Sequence, residues 1–499
     1  MQLDNKLVSA WPKLAWVAKF THRADTITVY HGPCVETNEL WCVEAVWAGE
    51  YERGDFDRTD LVFGSGLRCR EHGVVFVTSG TTLDRLWYCY SKDSWHVANS
   101  LPALLAVGGI SLSGVNVDYV RYVDTIIQGL TGYKRQLPCK SGQLGIIYFN
   151  NLLWDGGSLA EVNKPDTAPR FDTFDTYAAY LMETAERLAG NMGDRARTHR
   201  VTPLVTVSEG YDSSVAAVIA CRAGCRQSVT IRQSTSLWRG SDSGEEVARC
   251  LGLKCTTYDR TARRYPLEET IWAVAGRASI LNWTLFDYPE PLCLLFTGPY
   301  GDKMWSRERW KFRDPFEWTI LSTGGIGEFR LFRGIFHCPV PFWGMRHLLE
   351  IWEITHSKAM EPWSVPGDYD RPIPRRIVEE EGVPRKAFGQ RKKNTSHDEP
   401  LLWPYTPEAA ASFRCFLATH GLPAGPRSVW LRRRAAALSH LVESNVPRSF
   451  CMAARRRRTQ TMKVAANMLF QWANTELKKI YQEPFAMAEQ EIGDGSPKA

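Results

Sequence analysis

No stretch of this chain supplies the roughly 18 to 20 consecutive apolar residues that a membrane-spanning helix requires. The nearest run, 101–115, is interrupted by Pro102 and by Gly108 and Gly109. The opening MQLDNKLVSAWPKLAW also lacks an apolar core followed by a small-residue cleavage site, so a cytoplasmic protein with no membrane partner is expected. Internal repeats and low-complexity tracts are missing as well. The 13 cysteines are odd in number and scattered, which argues against a disulfide framework. The tightest set, Cys221, Cys225, Cys250 and Cys255, lacks the two-residue knuckle of a zinc site, and buried apolar thiols are expected there. What is present is ordinary globular material: 44% hydrophobic and 23% charged residues over 499 positions exclude a disordered chain and suit two or three domains.

The net charge of +6 is unevenly spread. Segment 371–393 carries +5 and segment 427–458 carries +8, which leaves −7 on the rest of the chain. Positive charge gathered in the carboxyl-terminal third should meet an anion. The runs Arg432 to Arg434 and Arg455 to Arg458 suit either a solvated helix face or RNA, so a tRNA- or nucleobase-modifying enzyme stands as an alternative reading. The 19 tryptophans are dispersed like core aromatics rather than set beside basic residues, and a nucleic-acid partner is not expected.

The sequence texture divides the chain into four parts. Residues 1–165 alternate short strands (26–30, 40–47, 74–78, 86–90, 144–149) with polar turns, interrupted by one clear helix over 117–128 with Asn116 as its N-cap. This reads as an antiparallel β-rich domain. A connecting segment, 166–200, holds a helix over 171–192 whose apolar face is Tyr177, Leu181, Ala185 and Leu188. Beyond it, 201–445 begins as strand then helix: PLVTV, a helix over 212–223, SVTI, a helix over 244–251, KCTTY, and a further strand over 293–296. That order predicts an α/β domain with a parallel sheet. Residues 446–499 read as a helical extension ending in a polar tail after Ala488. The prolines of 369–376 predict a rigid extended arm, whose arginines would suit a substrate carboxylate.

The turn after PLVTV reads Ser208-Glu209-Gly210-Tyr211-Asp212-Ser213-Ser214. A short loop between a parallel strand and a helix aims backbone N–H groups and hydroxyls at an anion. Gly210 permits close approach, and Asp212 among hydroxyls points to a Mg²⁺ that bridges phosphates. The loop lacks the Gly-Lys-Ser/Thr ending of a Walker A motif.

It resembles instead the PP-loop, Ser-Gly-Gly-x-Asp-Ser, of enzymes that cleave ATP between its α and β phosphates, with Glu209 in place of the first glycine. The segment Gly240 to Tyr258 resembles the loop, helix and Leu-Gly turn that asparagine synthetases carry after their PP-loop. Thr297-Gly298-Pro299-Tyr300-Gly301-Asp302-Lys303 is similar to their second phosphate-side loop. The resemblance implies ATP and Mg²⁺ as cofactors. Ser208, Gly210, Ser213, Ser214, Ile231, Gly298 and Gly301 would contact nucleotide, and Asp212 and Asp302 would hold metal. Lys393, with Lys392 beside it, falls where the family places a lysine on the leaving pyrophosphate. Pro299 stands where asparagine synthetases carry a glutamate, and Lys303 replaces an acid. The family, which includes β-lactam synthetases and lasso-peptide cyclases, activates a carboxylate as an acyl adenylate for attack by an amine. An ATP-dependent, AMP-forming ligase is the resulting expectation, with a homodimer possible. The two changed positions leave open a protein that binds nucleotide without turnover.

Glutamine-dependent members use an amino-terminal cysteine as nucleophile. Here residue 2 is Gln2 and the first cysteine is Cys34. The front domain should therefore be a degenerate glutaminase, with ammonia or an amine supplied directly.

Overall fold

A computed structural model describes residues 1–140, 142–233, 241–260, 264–274, 278–308, 325–367, 369–390, 403–422 and 452–494. Residues 2–162 form two sheets. One runs in the order Gln2–Leu7, Thr26–His31, Trp16–Thr21, Ser94–Ala98, Leu86–Ser91, Gly142–Ile147 and Gln136–Cys139. The other runs Leu159–Val162, Asn151–Trp154, Gly73–Val77, Val62–Arg70, Trp41–Trp47 and Glu36–Thr37. Their pairings are antiparallel except for Gln2–Leu7 against Thr26–His31, which is parallel. The sheets share one core. Phe20 of the first stacks on Phe76 of the second at 5.5 Å and meets Trp154 at 4.9 Å, and Trp16 Nε1 donates to Ser65 Oγ at 3.0 Å. Burying one such ring is worth roughly 2 to 3 kcal/mol.

Every residue of Trp41–Trp47 is buried, because the second sheet is covered on its other face by the helix Phe174–Met192. Thr173 caps that helix: its hydroxyl accepts from the Thr176 N–H while the Thr176 hydroxyl accepts from the Thr173 N–H. The expected face of Tyr177, Leu181, Ala185 and Leu188 is buried.

The third sheet is wholly parallel, in the order Lys254–Tyr258, Gln227–Ile231, Val201–Thr206, Leu292–Thr297 and Ile335–Pro339. The chain enters at Val201–Thr206, winds outward to one side, then returns to Leu292–Thr297 on the other. The order therefore reverses between those two neighbours, and their carboxyl ends face the crevice where such sheets bind ligands. Leu292–Thr297 is buried throughout, as a central parallel strand must be. Helix Tyr211–Arg222 buries Ser214 through Ala220 and packs against both strands, with the helices Phe174–Met192 and Pro372–Glu380 on its flanks.

Several expectations are corrected. The helix expected over 117–128 is Tyr119–Asp124, and its cap is Asp118, which accepts from the Arg121 N–H at 3.0 Å; Asn116 lies outside it. A second helix in this region, Leu101–Val107, has Ser100 as its cap, with Pro102 harmless in the first turn. The expected extended arm is instead the helix Pro372–Glu380. Its two prolines, Pro372 and Pro374, both fall in the first turn, where no N–H is needed by the helix. The final helix, Met452–Asp494, continues through the first of the polar residues that follow Ala488.

That final helix is no appendage. Leu469, Trp472, Ala473 and Leu477 complete the core on one side of the parallel sheet, while Ala466, Phe470 and Tyr481 belong to the core shared with residues 8–149. Asn467 Oδ1 accepts from the Tyr119 N–H at 3.0 Å, and the Tyr481 carbonyl accepts from Trp11 Nε1 at 3.1 Å. Among the described residues no helix is long and apolar enough to cross a membrane.

Candidate active site

The Val207 N–H donates to the Val229 carbonyl at 2.9 Å, so the chain keeps sheet geometry up to Ser208. Helix Tyr211–Arg222 begins shortly after, with Gly210 as a cap that offers no side-chain acceptor to the first N–H groups. Such donors at a helix start are suited to an anion. The turn is braced by its own hydroxyls. Ser208 Oγ and Ser213 Oγ lie 2.8 Å apart, the Ser208 N–H donates to Ser213 Oγ at 3.1 Å, and the Gly210 N–H donates to Ser208 Oγ at 3.2 Å.

The second loop closes directly on this turn. A Cβ on Gly298 would lie 2.6 Å from the Asp212 carbonyl carbon and 2.8 Å from the Ser213 nitrogen. A Cβ on Gly301 would lie 2.4 Å from Asp212 Cγ and 2.5 Å from its Oδ1. Glycine is therefore required at both positions by close packing. Between them Tyr300 adopts φ +80°, a left-handed conformation for which glycine is the usual choice; its ring stacks on Phe342 at 4.7 Å. A tyrosine thus holds a torsion that costs about 1 to 3 kcal/mol and that the packing must maintain. Asp302 follows in the short helix Gly301–Met304.

A third segment abuts the turn from the other side. The Gly244 N–H donates to Thr230 Oγ1 at 2.9 Å, and a Cβ on Gly244 would lie 2.7 Å from the Ser208 nitrogen. This brings Asp242, which is buried, to the site. The fourth contribution comes from the helix Pro372–Glu380 and the residues just before it. Arg371, its side chain 3% exposed, pairs with Asp212 Oδ1, and its guanidinium lies 5.2 Å from the Tyr369 ring centroid. Burial raises the Tyr369 pKa, and the negative charges of Asp212, Asp242 and Asp302 raise it further; the three carboxylates thus share one electrostatic neighbourhood. Burial works against the Arg371 charge, but Asp212, Tyr369 and Asp302 more than restore it. Arg375, also buried, donates to the Tyr211 hydroxyl and lies 5.1 Å from that ring. Finally, the Gly389 N–H donates to the Glu209 carbonyl at 2.8 Å, and a Cβ on Gly389 would strike the Tyr211 ring at 2.4 Å.

Ser208, Gly210, Asp212, Ser213, Gly298, Gly301 and Asp302 are therefore gathered at two adjacent strand ends. Ser214 is fully buried and its hydroxyl donates to the Gly210 carbonyl at 2.8 Å, so it shapes the turn. Ile231 ends its strand with its side chain in the apolar core beside Leu204 and Leu295. Lys392 and Lys393 lie outside the described residues. Asp242 is a site residue that sequence reasoning misses, although it stands within the segment 240–258 that resembles the family. The sequence also does not say which arginine of 371–376 matters; Arg371 and Arg375 are the two that turn inward.

Among the described residues no three His, Cys, Asp or Glu side chains are grouped to hold a metal by themselves. Mg²⁺ is commonly held by one or two carboxylates together with substrate phosphates and water. Asp212 and Asp302 fit that pattern and not a protein-only cage. In the front half, Cys34 is buried and burial pushes its thiol pKa up, the wrong direction for a nucleophile. No protein-family model matches this chain, and no curated protein matches it.

Proposed function

We propose that the chain binds ATP with Mg²⁺ across the ends of Val201–Thr206 and Leu292–Thr297 and uses it to adenylate a carboxylate, which an amine or ammonia then attacks. In this reading residues 1–165 are a degenerate glutaminase-like domain and 201–445 the ATP pyrophosphatase domain. The observation that carries it is the fit of Gly298 and Gly301 onto Asp212, which sets two acid-bearing loops side by side at the point where the strand order reverses.

The turn from Ser208 to Ser213 supplies N–H groups and hydroxyls for phosphate oxygens. Asp212 and Asp302 would hold Mg²⁺, which neutralises phosphate charge when bound. The substrate carboxylate attacks the α-phosphorus, the bond to the bridging β-oxygen breaks, and pyrophosphate departs. Lys393 or Lys392, three or four positions beyond the anchored Gly389, would stabilise the charge that develops there; losing such a contact commonly costs about 10²- to 10³-fold in rate. The amine then displaces AMP from the acyl carbon. Pro299 offers no acid or base at its position, so the amine must arrive with its proton removed by another group.

Calorimetry of MgATP binding to wild type and to Asp212→Ala tests the site, and chromatography of the spent nucleotide tests the chemistry. Unchanged affinity in the variant removes the assignment, and ADP in place of AMP removes the reaction class.

A further inference from the structure

Asp212 cannot offer its carboxylate freely. On one side Oδ1 is engaged by the buried Arg371 guanidinium, and on the other it rests against the Gly301 backbone, where even a methyl group would overlap it. The Asp212 side chain is 26% exposed, so a divalent cation arriving alone can reach it but must compete for it with a guanidinium that is 3% exposed. A polyphosphate changes this balance. Guanidinium binds phosphate oxygens in the same forked geometry as a carboxylate. The phosphate-binding turn lies within a side-chain swing of Arg371, because Tyr369, over whose ring the guanidinium sits, has its hydroxyl 3.8 Å from the Cβ position of Gly210.

We infer that Arg371 is an exchangeable counterion: it occupies Asp212 until the phosphates of a nucleotide draw it off, so that metal and polyphosphate load together and metal alone is refused. This inference rests on the ATP-binding reading above. It assigns to Arg371 a positioning role, transferring one positive charge from carboxylate to phosphate as the metal takes its place. Asp302, whose charge also favours the Arg371 guanidinium, helps to keep it local.

Mn²⁺ binding read by the loss of its free paramagnetic signal tests this, with and without α,β-methylene-ATP. For wild type, Mn²⁺ alone should bind at least tenfold more weakly than in the presence of the analogue. Arg371→Met should bind Mn²⁺ alone at least tenfold more tightly than wild type, and the analogue in EDTA at least tenfold more weakly. Adding Asp212→Asn to Arg371→Met should abolish the gain in Mn²⁺ affinity. Arg371→Lys, which keeps the charge without the fork, should fall between and covers the case in which the methionine variant misfolds. If wild type binds the analogue with Mn²⁺ but neither variant gains affinity for Mn²⁺ alone, the role of Arg371 is overturned and the site reading stands. If wild type does not bind the analogue, both fall together.

Discussion

Gly301 lies so close to Asp212 that a Cβ on it would reach within 2.5 Å of the carboxylate Oδ1. The contact is to a side chain that is already held by Arg371, so it cannot move aside without breaking the ion pair.

Gly301→Ala should therefore act on the site through geometry. The expected outcome is loss of most MgATP affinity, with a stability cost of about 1 to 3 kcal/mol from overpacking. Calorimetry together with urea unfolding separates the two effects. Gly210→Ala is the control: its Cβ would approach nothing nearer than the Ser208 hydroxyl at 3.3 Å, and the fold should barely notice it.

Glu328 gives a pH signature. Fully buried, it accepts hydrogen bonds from the Ser100 and Tyr481 hydroxyls, and burial pushes its pKa from the usual range to about 7. The folded state therefore holds a proton that the unfolded state releases, and stability falls as pH rises from about 4.5 towards 7, by at most about 3 to 4 kcal/mol at about 1.4 kcal/mol per unit. His96 and His337, each lowered by burial to about 4, pull the other way: they favour the fold increasingly between about 4 and 6.5. Glu328→Gln should remove the first trend alone, raising the melting midpoint above that of wild type at pH 8 and leaving the acid limb in place. A pH series of thermal melts checks this.

The front sheets and the parallel sheet are locked by a buried fork. Arg330 donates to Glu44 at 2.7 and 2.9 Å, with Asp84 3.4 Å from its Nε. Glu44→Leu strands the guanidinium and should cost about 3 to 5 kcal/mol. Replacing both partners with leucine should cost less than the sum of the two single changes, because each removes the same pair, although Asp84 then loses its cation. A double-mutant cycle by chemical denaturation gives the answer.

Glutamine should be no nitrogen source. Cys34 is buried and its thiol is harder to ionise than usual, so Cys34→Ser should leave amide formation from free amine unchanged. Stoichiometric glutamate released alongside AMP would contradict this.

Local features were legible in the sequence, and long-range ones were not. The strands Val201–Thr206 and Leu292–Thr297 announce themselves as short apolar runs, and the loops after them carry their chemistry in consecutive residues. The strand Gln2–Leu7 leaves no such mark, since it lies at a sheet edge and is mostly polar. The prolines at 372 and 374 point to an extended chain unless they are recognised as a helix's first turn. Arg371 and Asp212 are 159 positions apart, and nothing in either neighbourhood names the other as its partner. The C-terminal helix reads as a weakly amphipathic, charged segment because its apolar residues face two different cores.

That helix also fixes when the molecule is finished. Tyr119 is 348 residues ahead of Asn467, so at about 5 to 20 residues per second a ribosome makes the partner roughly 20 to 70 s later. During that interval the surface around Trp11 and Leu101–Val107 stands open to water, with strand edges beside it. Slow synthesis, or a stop before residue 466, should leave that apolar surface uncovered, and a chain truncated before residue 466 should be recovered in lower soluble yield than the full one.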